Sequence, residues 1–152
     1  MKNILVPVDF EGYSTYLLLG QAYEIAKKFD SKIWLIHVAA PDPDFVGYEE
    51  GPQYIREKRA EELRKEHKML KKYTDELHEK GLQAEGLLIF GSTVEMIQTE
   101  AKKLKIDLIV IGHHKHGFLY NAFYGGTDLK LLEDLNIPTL VVPMDWGKDK
   151  LK

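Results

Sequence analysis

The sequence predicts an open α/β sheet of five parallel strands with helices on both faces, and three observations carry that expectation. Five short runs rich in Ile, Leu and Val recur along the chain, at residues 3–8, 32–38, 82–89, 107–111 and 139–142. Segments of helical periodicity fill the intervals between them. Four of the five runs show little polar alternation, the pattern of strands buried on both faces. Strands separated by helices are normally parallel and joined by right-handed crossovers.

Each element has its own signal. The first run, Asn3 to Val8, leads into a helix over residues 14–29 whose apolar positions Leu18, Ala22, Ile25, Ala26 and Phe29 form one stripe. The second run ends at Val38. After it, residues 41–52 hold Pro41, Pro43, Gly47, Gly51 and Pro52, a composition that predicts a surface loop over the C-terminal sheet edge. A long helix follows over about residues 54–80, with Leu63, Leu70 and Leu77 at seven-residue spacing in a highly charged background. The third run alternates Gln83 and Glu85 against Leu82 and Ala84, which suits an edge strand. Ser92 or Thr93 can cap a third helix carrying Val94, Ile97, Ala101 and Leu104. Thr127 or Asp128 can cap a fourth that holds Leu132 and Leu135 and stops before Pro138.

Composition narrows the class. The 152 residues fit a single domain, residues 1–152, with one sizeable core. With 21 Lys and Arg against 24 Asp and Glu, the net charge of -3 gives no electrostatic footprint for nucleic acid or an anionic membrane. The absence of cysteine removes disulfides, thiolate metal sites and Cys nucleophiles. The apolar start meets Asp9 too early for a signal-peptide core, and no run reaches the roughly 20 apolar residues that span a bilayer. A cytoplasmic protein is the expectation.

In open parallel sheets, ligands bind beyond the strand C-termini where chain progression reverses. If the strand order is 3-2-1-4-5, that crevice falls between the first and fourth strands. It then brings together Pro7-Val8-Asp9-Phe10 and Gly112-His113-His114-Lys115-His116-Gly117. These segments, with Leu-Ile-His-Val at the second strand end and Asn-Ile-Pro-Thr-Leu-Val-Val-Pro near the C-terminus, resemble the universal stress protein family. The similarity runs from Lys2 to about Pro143. It implies the 3-2-1-4-5 order of an adenine nucleotide alpha-hydrolase-like fold and a homodimer, often paired through the last strand, here Thr139 to Val142. In one branch of the family it also implies ATP in the crevice.

That branch has Gly-x2-Gly-x9-Gly-(Ser/Thr) after the fourth strand, where glycines let backbone N–H groups approach phosphates. Here Gly112 and Gly125 match the first and third positions, Lys115 replaces the second glycine, and Gly126 takes the hydroxyl position with Thr127 one residue later. A second register, Gly112, Gly117 and Gly126-Thr127, recovers the residue types at the wrong spacing. Two readings follow. Gly125-Gly126-Thr127 forms an anion nest with Lys115 adding positive charge, or Lys115 fills the space the phosphates need. On the first reading the cofactor is ATP or AMP, with or without Mg, and the contacting residues are Pro7, Val8, Asp9, Val38, Gly112, His113, Lys115, Gly125, Gly126 and Thr127. The resemblance places Asp9 at the adenine or ribose end and gives Val38 a backbone role. Asp9 also suits capping of the following loop.

Other constellations weigh less. His113, His114 and His116 have a spacing that can bind a transition metal, but side chains diverge on a strand-to-loop transition and no carboxylate follows; no metal site is assigned. His37 reads as a satisfied core histidine, His67 as part of the helical seam and His78 as structural. Phe118, Tyr120, Phe123 and Tyr124 suit packing of a loop onto the sheet more than stacking on a base. The charged helix interleaves acids with bases, a solvated face.

Among function classes, a binding module and a nucleotide-free interaction dimer both fit. Adenylyl-transfer signatures and a Walker A loop are missing, and the third strand ends in Ile89-Phe90-Gly91 rather than a phosphoacceptor Asp. No catalytic residue is assigned, and slow ATP hydrolysis is the most the sequence allows. The partners expected are a second copy of the chain and unidentified proteins.

Overall fold

The structure, a computed structural model, describes residues 1–10, 12–39, 53–113 and 135–144, apart from the side chains of Ile55 and His113. The elements are β1 (Asn3–Pro7), α1 (Gly12–Phe29), β2 (Lys32–Ala39), α2 (Gln53–Glu79), β3 (Ala84–Phe90), α3 (Thr93–Lys103), β4 (Leu108–His113) and β5 (Thr139–Pro143). All five strands are parallel, in the order β3-β2-β1-β4-β5. The expected loop over residues 41–52 lies outside the described residues, as does the expected fourth helix up to residue 134.

Two apolar layers enclose the sheet. On one face Ile4, Val6, Ile33, Leu35 and Val110 pack with Leu18, Ala22 and Ala26 of α1 and with Leu70, Tyr73 and Leu77 of α2. On the other, Leu5, Ile36, Val38, Ile109 and Ile111 pack with Ile97 and Ala101 of α3 and with Leu135. The inner strands therefore bury both sets of alternate side chains, which is why they read as continuous apolar runs. At the edge, β3 keeps most of its residues only half-buried, consistent with the alternation seen in its sequence.

Backbone geometry at the helix ends orients the chain for each following strand. Asp30 after α1 and Lys105 after α3 both have φ of 52°, and Gly81 after α2 has φ of 83°. In each case the next residue donates to a carbonyl five positions back: Ser31 to Ala26 at 2.9 Å, Leu82 to Leu77 at 3.0 Å and Ile106 to Ala101 at 3.0 Å. This left-handed C-terminal motif satisfies carbonyls that a helix end leaves open. At the start of β4 the Asp107 carboxylate accepts from the N–H groups of Lys2 at 2.6 Å and Asn3 at 2.9 Å. Those two donors hold its carboxyl below the ordinary carboxylate range.

Helix α2 seats on β3 at Gly86, where an added Cβ would stand 3.2 Å from the Leu70 Cβ. From Leu70 to its start the helix runs about 25 Å, while β3 extends only about 13 Å beyond Gly86. The N-terminal turns thus project past the C-terminal edge of the sheet, and they are largely exposed.

Three local expectations need correction. Phe29 is 57% exposed rather than on the buried stripe of α1, since the helix runs out at that residue. His67 is exposed and off the α2 seam, which passes instead through Leu70, Tyr73 and Leu77. Ser92 occupies the position before α3 with extended backbone, but its side chain makes no capping hydrogen bond.

Candidate functional site

β1 is held unequally by its two neighbours. Five residue pairs, Asn3↔Lys32 to Pro7↔Ile36, join it to β2, while only Ile4↔Leu108 and Leu5↔Ile109 join it to β4. The cause is in the sequence. Successive residues of a strand direct their N–H groups to alternate edges, and the Val8 N–H donates to the Ile36 carbonyl on the β2 side at 2.9 Å. Pro7 therefore faces β4, and it has no N–H to give. The ladder to β4 stops short of it, and the C-terminal ends of β1 and β4 part. That parting lies where strand order reverses, the position at which this sheet class holds ligands.

Beside it, on the β2 side of β1, Pro7, Val8, Asp9 and Val38, four of the residues expected at the site, come together. With Ile36, His37, Thr93 and Ile97 they line a hollow of about 20 Å³, room for roughly one water molecule. Thr93 and Ile97 place it at the N-terminal end of α3. Gly112 lies in β4 opposite Val142 of β5. Its bareness serves packing: an added Cβ would stand 2.8 Å from the Sδ of Met144, itself almost wholly buried. The backbone of His113 ends β4 at the same sheet edge. Lys115, Gly125, Gly126 and Thr127 lie outside the described residues, as do His114, His116 and the aromatic group Phe118, Tyr120, Phe123 and Tyr124.

Two residues of importance were missed in the sequence. Phe10 follows Asp9 with φ of 65°, a left-handed conformation that is strained for a bulky side chain. That turn lays its ring 4.2 Å from the His37 ring and 6.4 Å from the Tyr73 ring, parallel to the latter within 10°. Tyr73, fully buried, meets Tyr16 edge-on at 5.5 Å. Burial pushes its phenol above the ordinary value of 10.0. His37, read as a satisfied core histidine, is mostly but not fully buried: its Nδ1 donates to the Val8 carbonyl at 2.8 Å and its Nε2 stands 3.7 Å from Oε1 of Glu66 on α2. His78, read as structural, lies 2.8 Å from the Ala84 carbonyl through Nε2.

A larger hollow, about 220 Å³, lies against edge strand β5 and is lined by Gln21, Leu140, Val141, Val142 and Pro143. None of these side chains titrates. Size alone favours this groove as a ligand site, but the crevice at Asp9 carries the carboxylate, the free strand ends and the helix N-terminus. Among the described residues no group of three His, Asp or Glu is arranged to hold a metal, and no helix is long and apolar enough to cross a membrane.

Comparison with known proteins agrees with this fold. A universal stress protein of Methanocaldococcus jannaschii is 29% identical over 147 residues, covering 93% of this chain and 81% of its own. One from Bacillus subtilis is 26% identical over 146 residues, covering 93% and 98%. Among solved structures, universal stress protein UspA from Lactobacillus plantarum superposes with a TM-score of 0.71 at 20% identity, over 93% of this chain and 97% of its own. A universal stress protein from Archaeoglobus fulgidus in complex with dAMP gives 0.65 at 16% identity, over 93% and 97%. A family member from Arabidopsis thaliana with AMP bound gives 0.64 at 18%, over 97% and 95%. The model of the Universal stress protein family matches residues 1–143, and with that match reaching the end of β5, the chain belongs to the universal stress protein family.

Proposed function

We propose that the chain is a stress-response module that binds an adenine nucleotide, ATP or AMP, in the crevice beyond β1 and β4, with the nucleotide acting as a regulator rather than a substrate. The observation that carries this reading is the ladder between β1 and β4, which stops at Leu5↔Ile109 short of Pro7, beside the hollow where Val8, Asp9 and Val38 converge. Two fold neighbours hold dAMP and AMP, which supports the ligand class. On this reading Asp9 meets the sugar or base, Val38 offers its backbone, and Gly125, Gly126, Thr127 and Lys115 receive the phosphates, with Mg accompanying ATP.

The module acts as a homodimer paired through β5. That strand is an edge, its Val141 is half exposed, and the apolar groove runs beside it. An open edge of this kind favours pairing. Light scattering at micromolar concentration should give twice the chain mass, and a monomer mass would contradict the pairing.

A second reading is a nucleotide-free interaction dimer of the same fold. Two observations favour it: the described hollow holds about one water, and Gly112 is committed to Met144. Mass spectrometry of the denatured, freshly purified protein separates the two readings, followed by calorimetric titration with AMP and Mg-ATP. Co-purifying nucleotide or a saturable heat, lost in Gly125→Val with the fold intact, supports binding. Neither nucleotide nor heat favours the interaction dimer.

A further inference from the structure

Along its sequence α2 mixes acids with bases, and folding sorts them. Between Arg64 and Lys72 the one acid is Glu66, and it turns inward, its Oε1 3.7 Å from Nε2 of His37 on β2. Met69 is half-buried and Leu70 is buried against the sheet. Every exposed residue in that window is basic in type: Arg64, Lys65, His67, Lys68, Lys71 and Lys72. On a helix surface the neighbours of a side chain stand three and four positions away. For Lys68 those positions hold Arg64, Lys65, Lys71 and Lys72, so one cation is surrounded by four others. Glu61 pairs with Lys65 at 3.6 Å and Asp75 with Lys71 at 2.7 Å, both from outside the window. Like charges at this spacing destabilise a helix, so the free chain carries a repulsion centred on Lys68.

The cluster is bounded as well as dense. From Arg64 to Lys72 it spans about 12 Å. Beyond one end Glu57, Glu61 and Glu62 are exposed, interleaved with Arg56 and Lys58, and beyond the other Asp75 and Glu79 are exposed. Duplex nucleic acid carries a negative charge roughly every 1.7 Å along its axis, and an anionic bilayer is a continuous surface. Either would extend onto those carboxylates, whereas a short run of acidic side chains fits between them. The cluster lies on the side of α2 opposite the buried seam of Leu70, Tyr73 and Leu77, away from the crevice at Asp9.

We infer that this outer face of α2, centred on Lys68, is a docking surface for a short acidic segment of a partner protein. Carboxylates seated there relieve the repulsion that the free helix carries, and the acids at either end act against longer polyanions. The surface is separate from the nucleotide site and does not depend on it.

Lys68→Glu tests both halves, because it places a carboxylate among the four cations. In the free chain it should raise the unfolding midpoint, the reverse of what loss of a structural lysine does. A lowered midpoint contradicts the repulsion. For binding, the probe is a fluorescein-labelled short peptide with glutamates three and four positions apart, followed by anisotropy on the full chain at low salt. The wild type should bind it saturably and more weakly as salt rises. Lys68→Glu should lose at least about tenfold in affinity, as when a charge facing its complement is reversed. Lys28→Glu, an exposed reversal on α1 with the same change in net charge, should keep most of the affinity. No saturable binding by the wild type, or an equal loss in Lys28→Glu, overturns the docking surface. A short DNA duplex that binds more tightly than the peptide, and loses its affinity in Lys68→Glu, overturns the choice of an acidic protein.

Discussion

The two sides of β1 are built to opposite ends. Towards β2 it keeps five residue pairs, an added bond from Val8 to Ile36, and the His37 ring against the Val8 carbonyl. Towards β4 it keeps two pairs and then parts. One residue separates these behaviours, because Pro7 withholds a donor from the β4 side alone. The comparison teaches that a central strand can be rigid and open at once: the firm side fixes where Val8 and Asp9 stand, and the open side gives a ligand access to them.

The largest effect should come from breaking the firm side. Tyr73→Ala removes a fully buried ring that stacks on Phe10 and meets Tyr16 edge-on and should cost about 3–5 kcal/mol in denaturant unfolding. A loss below about 1 kcal/mol would mean that the aromatic group contributes little beyond its surroundings. Next is Gly112→Ala, on the open side. The new methyl meets the buried Met144 Sδ at 2.8 Å, and the overpacking should destabilise by about 1–3 kcal/mol. An unchanged unfolding midpoint would show that Met144 yields freely.

Pro7→Val sharpens the comparison itself. It returns an N–H facing β4, so amide exchange should slow for a new ladder bond and AMP affinity should fall as the strands draw together. Stability should change by no more than the roughly 0.5–1.5 kcal/mol of one hydrogen bond. Unchanged exchange and affinity would show that something other than Pro7 parts the strands.

Smaller effects are expected with pH, at the two extremes. Burial favours the neutral Tyr73 phenol, so its contribution is complete below pH 10 and is lost as pH rises through the raised folded value. Tyr73→Phe should remove that alkaline decline in unfolding midpoint. Asp107 acts in the reverse sense. Its lowered value means a contribution present above about pH 3.8 and lost as pH falls through the folded value. Asp107→Asn should flatten that part of the acid limb by a small amount, since the carboxylate is exposed.

Most of the fold was legible because burial on both faces leaves continuous Ile, Leu and Val runs, as at Ile4-Leu5-Val6 and Ile109-Val110-Ile111. Helix periods located α1, α2 and α3 within two residues. The helix ends were less legible: of the three left-handed C-terminal positions only Gly81 carries the residue type that signals one, and Asp30 and Lys105 do not. Phe29 and His67 misled because a period extended to a helix end, or one position off the seam, no longer reports burial. At the site, Pro7, Val8, Asp9 and Val38 were readable from their place after apolar runs. The roles of Phe10, Glu66 and Tyr73 were not, since ring contacts and a carboxylate on a distant helix depend on tertiary approach. Glu66 in particular sits within a charged helix where its neighbours are solvated.

The most direct measurement is an AMP titration of the nitrogen-15-labelled chain, reading every backbone amide. The account predicts saturable shifts concentrated at Val8, Asp9, Phe10, Val38, Thr93 and Gly112, with the β5 amides of Leu140 and Val141 unmoved. Shifts confined to the β5 groove, or no saturable shift at millimolar AMP, would contradict the claim that the parting of β1 and β4 is a nucleotide site.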